Sequence, residues 1–306
     1  MTGILLKSAC LVLLAVASTS VPAQRPADGF GPDDTVGAVN LIDGAKTRAA
    51  ADLVTDGRVY ALGVVTGRDT PAYPGRSFSI EIFGGPRAGS NAMTGHDDRL
   101  ETHIGIGSQI DGLAHIGRGG VHYNGHRAED IFAADGLRAL GTEHIPPIAT
   151  RGVMIDMAAH FGVERLAPLQ PFGRADIEAA AEAQDVMIGT GDVVLFHTGW
   201  LTMATEDAEV FIGQQPGIDV EGARYLAELG VVAIGADSAA LETLAFQNGE
   251  LFPVHQMLLV DYGVYVLETI NTHDLAADDV HEFMFVLGQP RYAGSVQAVI
   301  NPVAIR

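Results

Sequence analysis

Runs of alternating or β-branched residues, each bounded by Gly, Pro, Asp or Asn, recur along this chain. They are VYALGVV (59–65), SFSIEIF (77–83), GVMIDM (152–157), DVVLFHTGW (192–200), GVVAIGAD (230–237), GVYVLETI (263–270), EFMFVL (282–287) and GSVQAVINPVAI (294–305). Alternation with a period of two puts successive side chains on opposite faces, so each run predicts a strand. Helical periodicity appears between them, at LIDGAKTRAAADLV (41–54), at 176–183 and at 219–229. The last of these has Asp219 as its N-cap and Gly230 as its stop. Residues 24–42, with scattered Pro, Gly and Asp, predict an irregular N-terminal arm. Strands and helices interleave without repeats or a low-complexity linker, which predicts one α/β domain.

Composition narrows the class. Of 306 residues 47% are hydrophobic and 18% charged, the profile of a globular chain. The first residues carry Lys7, an apolar run from Ala9 to Ala17 and the small-residue sequence Val21-Pro22-Ala23, the pattern of a signal peptide cleaved after residue 23. The expectation is a domain over 24–306 that is secreted or periplasmic. The apolar run is too short to span a bilayer, so no membrane is expected as a partner. The net charge of −20 becomes −21 without Lys7, which repels nucleic acid and offers no basic stripe to bind it. Cys10, the single cysteine, falls in the signal, so a metal must be held by His, carboxylate or amide oxygen.

Three contexts place polar residues where buried strands should be apolar. In ETHIGIGSQIDGLAHIG (101–117), Gln109, Asp111 and His115 share one parity, opposite Ile104, Ile106 and Ile110. His197 interrupts VVLFHTGW, and His255 precedes Glu268 across HQMLLVDYGVYVLE. Glu268 ends a strongly apolar run, and an unpaired buried carboxylate costs several kcal/mol. Lys and Arg are absent from 225–290, so a metal ion is the better local partner, with a distant Arg or a water as alternatives.

The segments GSQIDGLAHIG, GDVVLFHTGWL, LAELGVVAIGADS, HQMLLVDYGVYVLETINTHDL and EFMFVLGQPRYAGSVQAVINPVAI resemble, in order, those of the cyclase family of metal-dependent hydrolases, which includes bacterial kynurenine formamidase and isatin hydrolase. The resemblance covers roughly residues 30–306 and implies a mixed, barrel-like β core flanked by helices. Aligned on the aspartate, the family pattern His-x-Gly-Thr-His-x-Asp-x-Pro-x-His falls on Gly105, Gly107, Ser108, Gln109, Asp111, Leu113 and His115. Gly, Asp and the last His are kept, while the first two His have become Gly105 and Gln109. The family's downstream His and Glu match His255 and Glu268.

The resemblance implies one divalent metal, Zn or Mn, on Asp111, His255 and Glu268, with Gln109 adding an amide oxygen, since two carboxylates and an imidazole suit such an ion. His103 replaces a missing ligand only if the glycines bend the chain. His115 takes the family's proton-shuttle position; the plainer alternative is a structural His in a turn. Tyr123, beside the turn signal Asn124-Gly125, and His197 with Trp200 are candidate substrate contacts, although a lone Trp is more often core. Asp237 sits at a strand's C-terminal end, or caps the helix after it.

The function expected is hydrolysis of a C–N or C–O bond in a formamide, cyclic amide or lactone through a metal-activated water. The other reading is a non-catalytic small-molecule or metal-binding module that lost catalysis with its two imidazoles. No Gly-x-Ser-x-Gly elbow supports serine hydrolysis, and GIGSQIDG lacks the helix of a nucleotide-binding loop. A small-molecule substrate is the expected partner, and the resemblance implies a homo-oligomer.

Overall fold

The computed structural model describes residues 29–306; the expected signal segment 1–23 lies outside the described residues. Nine strands form one mixed sheet. Their spatial order is Val59–Ala61, Val303–Ile305, Glu282–Leu287, Ile148–Asp156, Val193–His197, Ala233–Ala236, Tyr265–Glu268, Gln109–Asp111 and Gln297–Val299. The four strands from Ile148 to Glu268 run parallel, and antiparallel strands flank them on both sides.

The sheet is curled, and the sequence explains why. The run 294–305 predicts one strand but forms two, because Pro302 has no N–H for a ladder. Val299 and Val303 are four residues apart, which spans at most about 14 Å. In a flat sheet the two strands, seven places apart in the order, would be separated by about 34 Å. The ends of the sheet therefore approach one another as a half-barrel, flanked by helices. This is the mixed, barrel-like α/β core expected.

Helices form at Gly44–Ala51, Arg174–Ala183 and Val220–Leu229. Asp219 caps the last, its side chain accepting the Gly222 N–H at 2.8 Å, and Gly230 ends it in the left-handed region at φ 83°. Ile110, Val194, Leu195, Ile234 and Leu267 are fully buried in the principal core. A smaller cluster gathers around Trp200, Phe211, Ile212 and Ala239. Among the described residues no helix is long and apolar enough to cross a membrane.

Two expectations change. The run 77–83 does form a strand, Phe78–Gly84, but it pairs with His96–Thr102 in a hairpin separate from the main sheet. Ile80, Ile82 and Leu100, which the register puts on one face, are half or more exposed. The alternation from His103 to His115 is not one strand either. Gly107 turns in the left-handed region at φ 74°, only Gln109–Asp111 is extended in the sheet, and the His115 N–H closes a turn on Gly112 at 2.9 Å.

Candidate metal centre

Gln109–Asp111 is buried between the Tyr265–Glu268 and Gln297–Val299 strands. Register sets Gln109 opposite Glu268 and Asp111 opposite Gln297, and residues paired across a ladder share a face. Four polar side chains from apolar strands are thereby brought together, while Ile110 points the other way into the core. His255 arrives from a one-turn helix, Pro253–Gln256, which starts after Phe252 in the left-handed region and uses Pro253 in its first turn. A π-helical turn, Met257–Tyr262, then leads into the strand that ends at Glu268.

Ligand atoms of Asp111, His255 and Glu268 lie within 4.8 Å of one another, and all three residues are buried. His255 Nε2 is 3.4 Å from Asp111 Oδ2 and 3.2 Å from Glu268 Oε1. Asp111 Oδ1 accepts from Gln297 Nε2 at 2.8 Å, whereas Oδ2 is buried without a hydrogen bond. Glu268 Oε2 accepts from Gln109 Nε2 at 2.5 Å. On the far side of the imidazole, His255 Nδ1 donates to Glu242 Oε1 at 2.5 Å, and Glu242 also accepts the Val254 and His255 backbone N–H groups. A carboxylate on one ring nitrogen fixes which tautomer faces the site and makes the imidazole a better ligand.

Burial pushes the Glu268 carboxyl up to about 7, and repulsion from Asp111 adds to it. Burial would raise Asp111 as well, but His115, His255 and the Gln297 hydrogen bond outweigh it and hold Asp111 near 2. Burial also opposes charge on His255, yet the nearby carboxylates of Asp111, Glu242 and Glu268 raise it well above the usual value. Excess carboxylate, an orphaned Asp111 oxygen and converging lone pairs are what a divalent cation would neutralise. The residues present fit such an ion.

His115 stands at the edge of this set, its Nε2 3.8 Å from Asp111 Oδ2 and its side chain 22% exposed, so it reaches both the site and solvent. Burial lowers its pKa against the pull of Asp111, which favours the neutral imidazole. Gln109 adjoins Glu268 as expected, with its amide nitrogen rather than its oxygen turned to the carboxylates. His103 is exposed at the base of the hairpin, where its Nδ1 accepts the Ser77 N–H at 2.9 Å, and it takes no part in the set.

The three expected substrate contacts are not gathered here. Tyr123 is 4% exposed and its hydroxyl donates to Asp34 of the N-terminal arm at 2.6 Å, so it braces that arm. Next to it Asn124 (φ 54°) and Gly125 (φ 80°) make the expected tight turn. Trp200 is fully buried, with Nε1 donating to the Phe211 carbonyl at 3.0 Å, and is core. His197 lines a cavity of about 310 Å³ with Asp237, Thr272 and His273. Register places Phe196 beside Ala236 and Gly235 beside Leu267, so His197 and Asp237 occupy the sheet face opposite Glu268. Asp237 Oδ1 accepts the Thr198 N–H at 3.0 Å, which ties it to the loop after the neighbouring strand Val193–His197 instead of capping a helix.

Sequence reasoning missed Glu242, Gln297 and Arg76. A polar residue inside AALETLA and inside GSVQAVI was the available signal for the first two. Arg76 left none: its role follows from Gly105, where a Cβ would overlap the Arg76 guanidinium. The space of a side chain at 105 is filled by Arg76, which donates from Nη1 to the Gly105 carbonyl.

A family model described as putative cyclase matches residues 39–243, and the chain belongs to the cyclase family. Its fold is shared by solved structures. A structure described as a novel cyclase has a TM-score of 0.81 at 28% identity, covering 90% of this chain and 96% of that one. Isatin hydrolase A from Ralstonia solanacearum has a TM-score of 0.62 at 18% identity, over 86% of this chain and 97% of that one. A predicted metal-dependent hydrolase from Bacillus stearothermophilus has a TM-score of 0.55 at 18% identity, over 82% of this chain and 98% of that one. No protein of curated function matches the chain by sequence.

Proposed function

We propose that this protein is a metal-dependent hydrolase that cleaves a C–N or C–O bond in a small formamide, cyclic amide or lactone. The observation that carries it is the convergence of Asp111, His255 and Glu268 within 4.8 Å, with His115 beside the same Asp111 oxygen. Asp111, His255 and Glu268 would hold one Zn or Mn ion, and Gln109 is within reach of it. When bound, the ion supplies Lewis-acid polarisation of the carbonyl and lowers the pKa of water at the site. His115, neutral near pH 7, accepts the proton of the attacking water at Nε2 and returns it to the leaving nitrogen or oxygen. Glu242 keeps the His255 proton on Nδ1, and Gln297 orients Asp111. The isatin hydrolase fold supports a cyclic amide within this range.

Metal analysis of the purified chain, followed by turnover of a formamide, a cyclic amide and a lactone panel, tests the reading. One metal per chain, with hydrolysis lost to chelator and restored by Zn or Mn, is the expected result. Ligand-induced stabilisation without turnover of any class would mark the protein as a binding module instead.

We further propose export of residues 24–306 and assembly as a homo-oligomer. An isolated two-stranded hairpin is marginal in water, and the Phe78–Thr102 hairpin leaves Ile80, Ile82 and Leu100 exposed on one face. A second copy packing on that face would account for it.

A further inference from the structure

Arg76 is half-buried, yet among the described residues it has no carboxylate within 4.0 Å. Among the described residues the other two half-buried arginines, Arg151 and Arg165, both pair with carboxylates. Arg151 bridges Asp192 and Glu282, and Arg118 holds Asp261. Arg76 instead contacts a backbone carbonyl, at Gly105, and the face of Tyr73, whose centroid is 5.1 Å from the guanidinium carbon. Five N–H donors are available on a guanidinium, so most remain for another acceptor. The carbonyl it contacts belongs to the candidate site's own segment: Gly105 lies four residues before Gln109, on the stretch that turns at Gly107 into the buried strand Gln109–Asp111. Its position depends on Gly105, because any Cβ there would displace it.

We propose that Arg76 is the anion receptor of this site and that the substrate carries a carboxylate, held by the guanidinium beside Asp111, His255 and Glu268; this rests on the hydrolase reading above. A planar fork of donors matches a planar carboxylate in geometry. One guanidinium also balances a single negative charge, whereas a doubly charged phosphate would leave a surplus facing Asp111 and Glu268. A partly buried cation without an acid carries an uncompensated desolvation cost, which an anion joining it would offset.

Benzoate and benzamide, alike in shape and different in charge, are the probes. Calorimetric titration of the metal-loaded full chain is compared for wild type, Arg76→Gln and Gly105→Ala. Benzoate is expected to bind wild type about tenfold or more tightly than benzamide, the scale of a charge-assisted bidentate pair. Arg76→Gln should abolish that preference, and Gly105→Ala, which keeps the charge but displaces the guanidinium, should reduce it, both with metal content unchanged. Equal affinity for the two probes in wild type overturns the proposal, as does a preference that survives in Arg76→Gln. Loss of metal along with the preference also overturns it, by making Arg76 a support for the ligands. If wild type holds no metal, the hydrolase reading fails, and the same titration on the metal-free chain still decides the role of Arg76.

Discussion

Replacing Glu242 by Gln removes a charge and one acceptor while keeping the shape of a residue that is 1% exposed. The Gln oxygen can stand where Oε1 accepts from the His255 N–H at 3.0 Å and from Nδ1 at 2.5 Å. The new NH₂ then opposes the Val254 N–H, which Oε2 accepted at 3.2 Å. One backbone donor is left without an acceptor and the imidazole bond loses its charge assistance, so the metal-free fold should lose about 1–3 kcal/mol. Loss of a carboxylate behind a ligand imidazole typically weakens metal binding by about 10–100-fold. Chelator competition with Zn and Mn measures the second quantity, denaturant unfolding of the metal-free chain the first. Glu250→Gln, at an exposed position, is the control and should change neither. If Glu242→Gln binds metal as wild type does while His255→Ala loses it, Glu242 does not orient the ligand and the argument fails.

Three other outcomes are expected. Asp111→Ala should lose metal and activity together, whereas His115→Ala should keep metal and lose about 10²–10⁴-fold in turnover; metal analysis and rate measurement separate the two, and wild-type turnover in His115→Ala rejects the shuttle. Metal affinity should rise with pH through about 7, because binding needs Glu268 ionised and His255 neutral and both are raised in the metal-free fold. The same shifts fix the sign for stability. The metal-free chain retains protons that the unfolded chain releases, so its stability falls as pH rises from about 4.5 to 7 through Glu268, and above about 6.5 through His255. Asp111 acts oppositely, its contribution being present above about 3.8 and lost as pH falls towards 2. A pH-independent affinity in titrations from pH 5 to 8 would contradict this. Finally, Ile82→Asp on the exposed hairpin face should shift the chain towards monomer in light scattering, and an unchanged mass would remove the hairpin from the interface.

The clustering of Asp111, His255 and Glu268 was legible because burial makes polar residues conspicuous: Asp111 and Glu268 interrupt runs that are otherwise apolar. Strand positions were legible for the same reason, since alternation reports a buried face. What alternation cannot report is partnership. The hairpin strand 78–84 has the pattern of a core strand, but among the described residues its apolar face is left half or more exposed. Trp200 and Tyr123 illustrate a related limit, because an aromatic residue near a motif reads alike whether its polar atom faces a substrate or, as here, a backbone carbonyl or an arm. Gly105 looked like a lost ligand, and only three dimensions show that its missing side chain makes room for a residue 29 positions earlier.

His255 and Glu268 lie thirteen residues apart, on a helix, a π-turn and a strand that fold locally, whereas Asp111 lies 144 positions before His255. An ion held by all three would join one prearranged half to a distant strand, closing a long loop in a chain whose single cysteine excludes an internal disulfide. Cross-linking a loop on the order of 100 residues removes about 4–5 kcal/mol of unfolded-state entropy. Chemistry and architecture would then draw on the same three side chains, so stripping the ion should unfasten the sheet at the strand that carries Asp111.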